Sequence, residues 1–397
     1  MTAESVAQAS RIAAPAAFTL RDLLTYFLRL GTFGFGGPIA LVGYMQRDLV
    51  EQRGWFSKQD YAEGLALAQL APGPLAAQLA IYLGWLKART LGATLVAAAF
   101  ILPSFLMVLV LSFLYLRFEG LFWMQGAFYG IGAAVIAIIA RSAWKLMRST
   151  LERDVALWII FLVSAAVTAW TESEIAWLFL LAGVAYLLVR LPARSSARVA
   201  LVLPWPLLAT GLHGPADAST LWRIAWYFAE AGAFVFGSGL AIVPFLHGGV
   251  VNEFQWLTER QFLDAVAVAM ITPGPVVITV AFIGYLVAGP LGATFTALGV
   301  FLPCYLFVVV PATYFRRAVS NPSVRAFVQG VTAAATGAIA GAGFVLGKRA
   351  IVDLPSATIA LVTLAAIVYL RRVPEPLVIG VAGVVGILAR AWIGEGA

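Results

Sequence analysis

The chain has 397 residues, of which 62% are hydrophobic and 11% are charged, and its formal net charge is +7. Soluble domains carry roughly 25% charged residues, so this composition excludes a soluble globular protein and predicts a multi-pass protein of the lipid bilayer. The excess of Lys and Arg is expected in cytoplasmic loops and not in a nucleic-acid interface.

The reactive residue types are scarce, which narrows the chemistry. Cys304 is the single cysteine, so no internal disulfide can form, and His213 and His247 cannot build a histidine-rich metal site. The sequence also lacks a P-loop and a nucleophile triad. We therefore predict a protein that is not an enzyme, with no catalytic residue, no metal and no cofactor.

The predicted elements begin after a polar, cytoplasmic tail at residues 1–19. A first transmembrane repeat is predicted at 20–190, a linker at 191–220 and a second repeat at 221–397. The apolar segments of the first repeat are Leu20–Met45, Tyr61–Trp85, Leu91–Leu116, Leu121–Ala140, Val155–Trp170 and Ile175–Val189. The later segments of the second repeat are Val324–Leu346, Leu354–Leu370 and Leu377–Ala389. Their length and composition predict an all-α fold.

The second repeat copies landmarks of the first. Identical pairs include Phe27 and Phe228, Gly31 and Gly232, Phe33 and Phe234, Gly36 and Gly237, Trp55 and Trp256, and the dipeptides Leu102-Pro103 and Leu302-Pro303. The triplets Pro72-Gly73-Pro74 and Pro273-Gly274-Pro275 also coincide. This agreement indicates an internal duplication, with two homologous halves.

Each Pro-Gly-Pro triplet interrupts an apolar run, and a helix cannot pass through it unbroken. A broken helix facing lipid would leave backbone groups unsatisfied, so the breaks should be buried or line a polar cavity. Matched breaks in two halves point to the binding site of a transporter. The alternative interpretation is that they only bend helices for packing.

The basic residues predict the orientation. We place the N-terminus inside and count each apolar segment of the first half as one crossing. The inner loops then collect Lys87, Arg89, Arg141, Lys145, Arg148, Arg153, Arg190, Arg194 and Arg198, and the outer loops hold Arg47, Arg53, Lys58 and Arg117. In the second half an inverted orientation fits the basic loops better than a parallel one. Inversion needs one further crossing in the linker, for which Leu201–Leu212 is the candidate.

At this point the motifs resemble a known family. The run from Phe27 to Pro38 and the run Gln69-Leu-Ala-Pro-Gly-Pro74 are similar to those of the chromate ion transporter superfamily, and Gly232 to Gly239 with Pro273-Gly-Pro275 resembles its C-terminal domain. The resemblance implies a bacterial inner-membrane transporter that exports chromate and confers chromate resistance, with two halves of opposed orientation. The second half departs from the first, because Gly237-Ser238-Gly239 stands where the first has Gly36-Gly37-Pro38.

Chromate is a tetrahedral dianion, and orphaned N–H groups at helix N-termini suit such a ligand. Helices that restart after Pro74 and Pro275 would present these donors, and neutral side chains could add others. The predicted substrate-binding residues are Arg29, Gly36, Gly37, Pro38, Gln69, Pro72, Gly73, Pro74, Gln78, Gly237, Ser238, Gly239, Thr272, Pro273, Gly274, Pro275 and Thr279. We expect one shared site, with the more polar wall from the first half.

Charged residues within apolar segments are functional candidates. Arg29 could attract the anion, and its repeat position holds Glu230 in the second half. Glu63, Glu230 and Asp264 are candidates for carrying a proton in exchange. The alternative for Glu63 and Asp264 is a capping position at the membrane interface, and for Arg29 it is snorkelling to that interface.

The leading hypothesis is a secondary transporter that exports chromate across the inner membrane. One rival is a transporter or exchanger of sulfate or another oxyanion, since tetrahedral dianions look alike to N–H donors. A rival of another class is a membrane enzyme or assembly subunit, which the shortage of histidines, cysteines and paired carboxylates opposes. A homodimer is a further candidate arrangement.

Overall fold

The computed structural model describes residues 16–35, 37–118, 122–152, 154–171, 176–190, 218–234, 242–312, 322–369, 373 and 375–394. Within these ranges the regular structure is entirely helical. The first half contains α1 (Leu20–Phe33), α2 (Gly37–Met45, continued by a π-helix at Gln46–Gln52), α3 (Lys58–Leu70), α4 (Leu75–Phe118), α5 (Phe122–Leu151), α6 (Val155–Thr171) and α7 (Ala176–Arg190).

The described part of the second half repeats this order. It contains α8 (Ala218–Phe234), α9 (Ile242–His247, continued by a π-helix at Gly248–Glu253), α10 (Glu259–Ile271), a 3₁₀ turn (Val276–Ile278), α11 (Thr279–Ala312), α12 (Pro322–Ala350), α13 (Leu354–Tyr369) and α14 (Glu375–Gly394). The all-α fold with two homologous halves is therefore confirmed. The linker candidate Leu201–Leu212 lies outside the described residues.

The short helices α3 and α10 begin and end by the same local rules. The Ser57 side chain accepts a hydrogen bond from the Asp60 N–H, and Thr258 forms a capping box with Gln261. Ala71 and Thr272, which end these helices, are extended with ψ of 140° and 132°. A residue before proline is driven out of the α region, so each helix stops at its triplet.

The triplet reverses the chain direction. A Cβ on Gly64 of α3 would lie 2.8 Å from Cε1 of Tyr82 and 3.1 Å from Cδ1 of Leu79, both early in α4. Residues on opposite sides of Pro72-Gly73-Pro74 therefore pack side by side. α3 and the first part of α4 form a helical hairpin with the triplet at its tip.

α1 and α2 form a second hairpin of the same kind. The Ala16 N–H, which precedes α1, donates to Gly54 O at 2.7 Å after the π-helix. The Phe18 ring stacks on Trp55 with centroids 4.9 Å apart, and the Tyr61 hydroxyl of α3 donates to Val42 O at 2.6 Å. The chain reverses near Gly34, between the two helices.

α4 and α11 each contain a sharp reversal near their start. Ala88 and Arg89 leave the helical region, with Arg89 at φ +50°, and Ala288 and Gly289 do the same, with Gly289 at φ +63°. A Cβ on Gly84 would lie 2.5 Å from Gly92 O, although residues eight apart in a straight helix are about 12 Å apart. We call residues 75–87 and 90–118 α4a and α4b, and residues 279–287 and 290–312 α11a and α11b.

The two hairpins of the first half enter from one end of the molecule, which we call face I. Lys87 at the end of α4a donates through Nζ to Phe18 O, and its Nζ lies 3.9 Å from the Phe18 ring centroid. Ala16, Gly54 and Lys87 therefore lie together at face I. From there α4b runs to the opposite end, face II, at Phe118, and α5 returns.

The two halves are inverted. Gly343 of α12 faces Ile139 of α5, and Gly347 faces Ile136, so these equivalent helices run antiparallel. α4b and α11b are also antiparallel, as expected from the contact of Thr94 Oγ1, near the start of α4b, with the Tyr305 hydroxyl in the later part of α11b at 2.8 Å. The hairpins of the second half accordingly enter from face II.

The last helices of each half pack on the other half. α12 packs against α6 and α7, and α5 packs against α13 and α14. Small residues permit the close approach: a Cβ on Gly330 would lie 2.6 Å from Ala182 O, and one on Gly130 would meet Ala382 O. The resulting frame of α5–α7 and α12–α14 packs against a body formed by the four hairpins with α4b and α11b.

The described helices suit a bilayer. Four segments are long and apolar enough to cross it: Leu75–Phe118, Trp123–Arg148, Val276–Ala312 and Ala326–Ala350. Exposed Leu102, Leu106 and Val110 follow one another at helical spacing on the outer side of α4b. Such an apolar stripe needs lipid to cover it.

One topological prediction was wrong. Leu20–Met45 and Tyr61–Trp85 are hairpins that return to face I, and not single crossings. Their connecting loop, with Arg47, Arg53 and Lys58, lies at the same face as the start of α1 and not on the outside. The charge bias of the first half becomes stronger as a result, since Arg117 is left at face II while Lys87, Arg141, Lys145 and Arg148 accompany the three at face I.

Candidate functional site: the crossed hairpin tips

The hairpin tips meet midway between the two faces. The Gly274 N–H donates to Gly34 O at 2.8 Å, which joins the triplet of the second half to the tip of the α1–α2 hairpin. The space over Gly274 is closed by Ser104, at the middle of α4b. Tips that enter from opposite faces thus contact each other at the centre of the molecule.

Each triplet packs on the long helix of the other half. A Cβ on Gly73 would lie 2.9 Å from Cys304 Sγ of α11b, just as one on Gly274 would meet Ser104 Oγ of α4b. Ser104 Oγ donates to Gly31 O at 3.1 Å, and the thiol of Cys304 points toward Gly232 O at 3.7 Å. Ser104 and Cys304 each follow one of the matched Leu-Pro dipeptides. These dipeptides could have identified the two residues from the sequence, but our prediction did not include them.

The glycines of the triplets are required by conformation. Gly73 has φ +135° and Gly274 has φ +92°, a region that side-chain-bearing residues rarely adopt. The neighbouring atoms also leave no room for a methyl group at either position. The chain can therefore reverse tightly here and bring backbone close to the facing half.

The start of α4a concentrates buried polar groups. The Gln78 N–H donates to Pro74 O at 3.0 Å, whereas the N–H groups of Leu75, Ala76 and Ala77 precede the first intrahelical acceptor. These three residues are at most 8% exposed. Gln78 is fully buried, and its Nε2 donates to Pro72 O. This turn can supply N–H donors to an anion in a site of low dielectric.

The equivalent turn of the second half is more fully self-bonded. A 3₁₀ turn at Val276–Ile278 precedes α11, and the Ile278 N–H donates to Pro275 O at 2.9 Å. Thr272 and Thr279 are buried, but their hydroxyls donate to Val268 O and Val276 O, each at 2.7 Å. Their protons are thus committed to the local backbone.

The other predicted substrate-binding residues fall into three groups. Gly36, Gly237, Ser238 and Gly239 lie outside the described residues. Gly37 and Pro38 open α2, beside the first tip, and Gln69 is exposed one turn before Pro72. Arg29 is exposed on the outer side of α1, away from the buried face formed by Leu23, Phe27 and Leu30.

The three proton-coupling candidates have different surroundings. Asp264 is 4% exposed, and the Tyr115 hydroxyl of α4b donates to its Oδ2 at 2.7 Å. Glu63, at the equivalent position of α3, is half-buried and accepts from Gln59 Nε2 at 3.1 Å. Glu230 is exposed on α8, as Arg29 is on α1. Tyr115 is a partner that the sequence did not reveal.

The hairpins of the two halves differ in their contacts with the frame. α10 packs against α5 and α14, and α9 packs against α12. Inversion would pair α3 with α12 and α7, yet α3 makes no comparable contact with either among the described residues. Ala62 and Gln69 of α3 are exposed, whereas residues 264–270 of α10 are all buried. Among the described residues, α3 is therefore more exposed than α10 and has fewer contacts with the frame.

Three side chains from three helices meet at face II. Glu259 at the start of α10 accepts from His247 at 2.7 Å and forms an ion pair with Arg349 at the end of α12. We call this trio the face II latch. Burial raises the pKa of Glu259, but the hydrogen bond to His247 and the charge of Arg349 outweigh it and bring the pKa below its ordinary value. The equivalent positions in the first half hold Gln46, Lys58 and Ser149, which cannot form such a trio.

Comparisons with known proteins agree with this two-repeat architecture. A family model described as "Chromate transporter" matches residues 21–187 and again residues 222–387. The chain is 59% identical over 378 residues to the "Chromate transport protein" of Cupriavidus metallidurans, covering 94% of each chain. It is 55% identical over 377 residues to the "Probable chromate transport protein" of Synechococcus elongatus, covering 94% of this chain and 96% of the other.

A more distant relative, the "Chromate transport protein" of Pseudomonas aeruginosa, is 32% identical over 367 residues, covering 89% of this chain and 87% of its own. No solved structure matches the chain. Members of the matched family are transporters and not enzymes. With both repeats matched and relatives aligned over nearly the full length, this chain belongs to the chromate transporter family.

Proposed function

We propose that this chain exports chromate from the bacterial cytoplasm across the inner membrane, and that this activity confers chromate resistance. The observation that carries the proposal is the meeting of Gly274 and Gly34 at the centre of the molecule, where tips from both faces converge. Buried N–H groups at the start of α4a would bind the oxyanion there. Their neutrality suits transport, because a site that also has to release its anion cannot bind it too tightly.

The binding site of this proposal comprises the triplets Pro72-Gly73-Pro74 and Pro273-Gly274-Pro275 with Gln78, Thr279 and the backbone at Gly34–Pro38. Arg29 is exposed outside this cluster, so its part would be to attract anions and not to bind them at the tips. Gln69 and Thr272 would line the way to the site from either side.

Face I is the cytoplasmic face in this proposal. Arg47, Arg53, Lys58, Lys87 and Arg148 gather there, and cytoplasmic loops are enriched in Lys and Arg. The N-terminus would then be cytoplasmic, and chromate would enter from inside the cell beside α3, the more exposed of the two equivalent helices. If the two halves exchanged their contacts with the frame, α3 would become buried and α10 exposed, and access would change to face II.

Asp264 is the strongest candidate for a coupled proton. It is the most buried of the three candidates, and it lies at the interface between α10 and α4b, which such an exchange would disturb. We expect Asp264→Asn to abolish the dependence of chromate transport on a pH gradient. Glu63→Gln should leave most of that dependence intact. Equal effects of the two substitutions would contradict the assignment.

The direct experiment is uptake of labelled chromate into inside-out membrane vesicles, with sulfate as a competitor. Export predicts accumulation in these vesicles and less accumulation in right-side-out ones. Accumulation of labelled sulfate in place of chromate would favour the rival, a sulfate or general oxyanion exchanger. The absence of any chromate movement would overturn the proposal.

A further inference from the structure

One buried polar atom at the start of α4a has no hydrogen-bond partner. Gln78 is fully buried, and its Oε1 forms no hydrogen bond. Among the buried side-chain nitrogen and oxygen atoms of the described residues, it is the one that lacks a partner. Such an atom is costly, and in a native protein it usually has a functional reason.

The orientation of the Gln78 amide is fixed by its neighbours. Nε2 donates to Pro72 O, so turning the amide over would bring two acceptor oxygens together. Gly73 packs directly against the amide, since a Cβ there would lie 2.5 Å from Nε2 and 2.9 Å from Cδ. The side chain is therefore folded back over the N-terminal end of α4a, and its Oε1 offers an acceptor there.

The same turn holds donors as well. The N–H groups of Leu75, Ala76 and Ala77 have no acceptor within the helix, and all three residues are buried. A ligand that satisfies the whole turn must accept hydrogen bonds through some oxygens and donate one through another. A tetrahedral oxyanion that keeps one proton has this pattern, whereas a fully ionised dianion has acceptors alone.

We propose that Gln78 makes this site selective for the singly protonated form of a tetrahedral oxyanion. The bound O–H donates to Gln78 Oε1 while the other oxygens accept from the start of α4a. This inference rests on the proposed function, because it concerns the same site. It also separates the two anions left open by the backbone donors: chromate loses its last proton near neutral pH, whereas sulfate holds none there.

The described part of the second half has no equivalent of the unpaired Gln78 acceptor. Thr279 stands four residues after its triplet, as Gln78 does, and its hydroxyl donates to Val276 O at 2.7 Å. The Thr279 oxygen already takes part in this hydrogen bond, so it is not left without a partner as Gln78 Oε1 is. The selectivity is thus assigned to the first half.

The test compares chromate with selenate, a tetrahedral oxyanion that stays fully ionised at neutral pH. Binding of labelled chromate to the purified full-length protein is measured from pH 6 to 9, with selenate and sulfate as competitors. We expect at least tenfold weaker binding of selenate at pH 7, because a site built to bind an O–H rejects the analogue without it. Chromate affinity should fall on the order of tenfold per pH unit once the free anion is ionised.

Gln78→Met is the matched variant, because it keeps the length of the side chain and removes the acceptor. We expect chromate to bind at least tenfold more weakly, with selenate affected much less, so that the ratio of the two approaches one. Other titratable side chains near this turn are Cys304 of α11b, Glu63 of α3 and Tyr82 of α4a. At one pH these side chains have the same charge states for both anions, so their titration does not account for a difference between the two affinities.

Equal binding of chromate and selenate by the wild-type protein would overturn the inference, and so would chromate affinity that rises with pH. These wild-type measurements decide the matter even if Gln78→Met fails to fold. A folded variant with an unchanged anion ratio would also contradict it. If the wild-type protein binds neither anion, the proposed function fails instead, so the two failures are distinguishable.

Discussion

The hairpins α3–α4a and α10–α11a have the same landmarks and opposite surroundings. Each begins with a Ser or Thr cap, carries an acidic residue at one matched position and turns at Pro-Gly-Pro. Yet α10 is buried against α5 and α14, while α3 has no comparable contact with the frame among the described residues and is more exposed. The face II latch includes Glu259 of α10, whereas the equivalent positions around α3 cannot form such a trio.

The same repeat pattern therefore packs on the frame in two different ways. The tips share one cross-contact among the described residues, since Gly73 meets Cys304 as Gly274 meets Ser104. What differs is the outer side of each hairpin. We infer that the frame contacts move during transport while the crossed tips keep their geometry.

The largest effect is expected at the tips, where the two halves agree. Gly73→Ala or Gly274→Ala should lower chromate transport roughly a hundredfold, because a side chain at positive φ costs about 1–2 kcal/mol and the added methyl group also clashes. Initial rates of chromate uptake in vesicles, at matched protein levels, measure this loss.

Gly132→Ala is the matched control, since a Cβ at this α5 glycine would meet nothing within 4 Å. It should transport as the wild-type protein does. Adding Ser104→Gly to Gly274→Ala separates space from conformation: recovery would show that the contact with Ser104 Oγ dominates. Full activity of both single alanine variants would contradict the tip assignment.

A smaller effect, a roughly tenfold difference in labelling rate, is expected between α3 and α10, which differ in burial. Ala66 of α3 is half-buried and Ala267 of α10 is fully buried, and they occupy equivalent positions. In a Cys304→Ser background, Ala66→Cys should react with a maleimide applied at face I about tenfold faster than Ala267→Cys does from either face. Labelling rates followed by a mass shift give the comparison. Equal rates would remove the asymmetry on which the inferred exchange depends.

The smallest effect, a few-fold, is expected at the face II latch. Arg349→Ala leaves Glu259 without its ion pair, so closure weakens and labelling of Ala267→Cys from face II should increase several-fold. Lys348→Ala is the control, because Lys348 is an exposed neighbour of Arg349 that lies outside the trio. The pKa of Glu259 is lowered in the closed state, so closure is favoured above the ordinary pKa of a glutamate and is lost as pH falls through the lowered value. Unchanged labelling in Arg349→Ala would show that apolar contacts alone hold α10.

Much of the architecture could be predicted because identical residues at matched positions of the two halves reveal the duplication. Glycines at Gly31 and Gly232 and the two triplets are dictated by backbone geometry, so they persist in both copies and mark equivalent turns. Leu20–Met45 misled the topology because an apolar run of that length can cross a bilayer or fold back within it. Hydrophobicity measures burial, and both arrangements bury the same side chains.

Local chemistry was enough to predict a two-repeat membrane protein, the positions of its helix breaks and the donors at the start of α4a. Long-range packing was needed to show that the breaks are hairpin tips, that Gly274 reaches Gly34, and that Asp264 is buried while Glu63 is half-buried. Those outcomes depend on which distant helices pack together. Equivalent residues in two inverted repeats have the same local chemistry, and only their neighbours distinguish them.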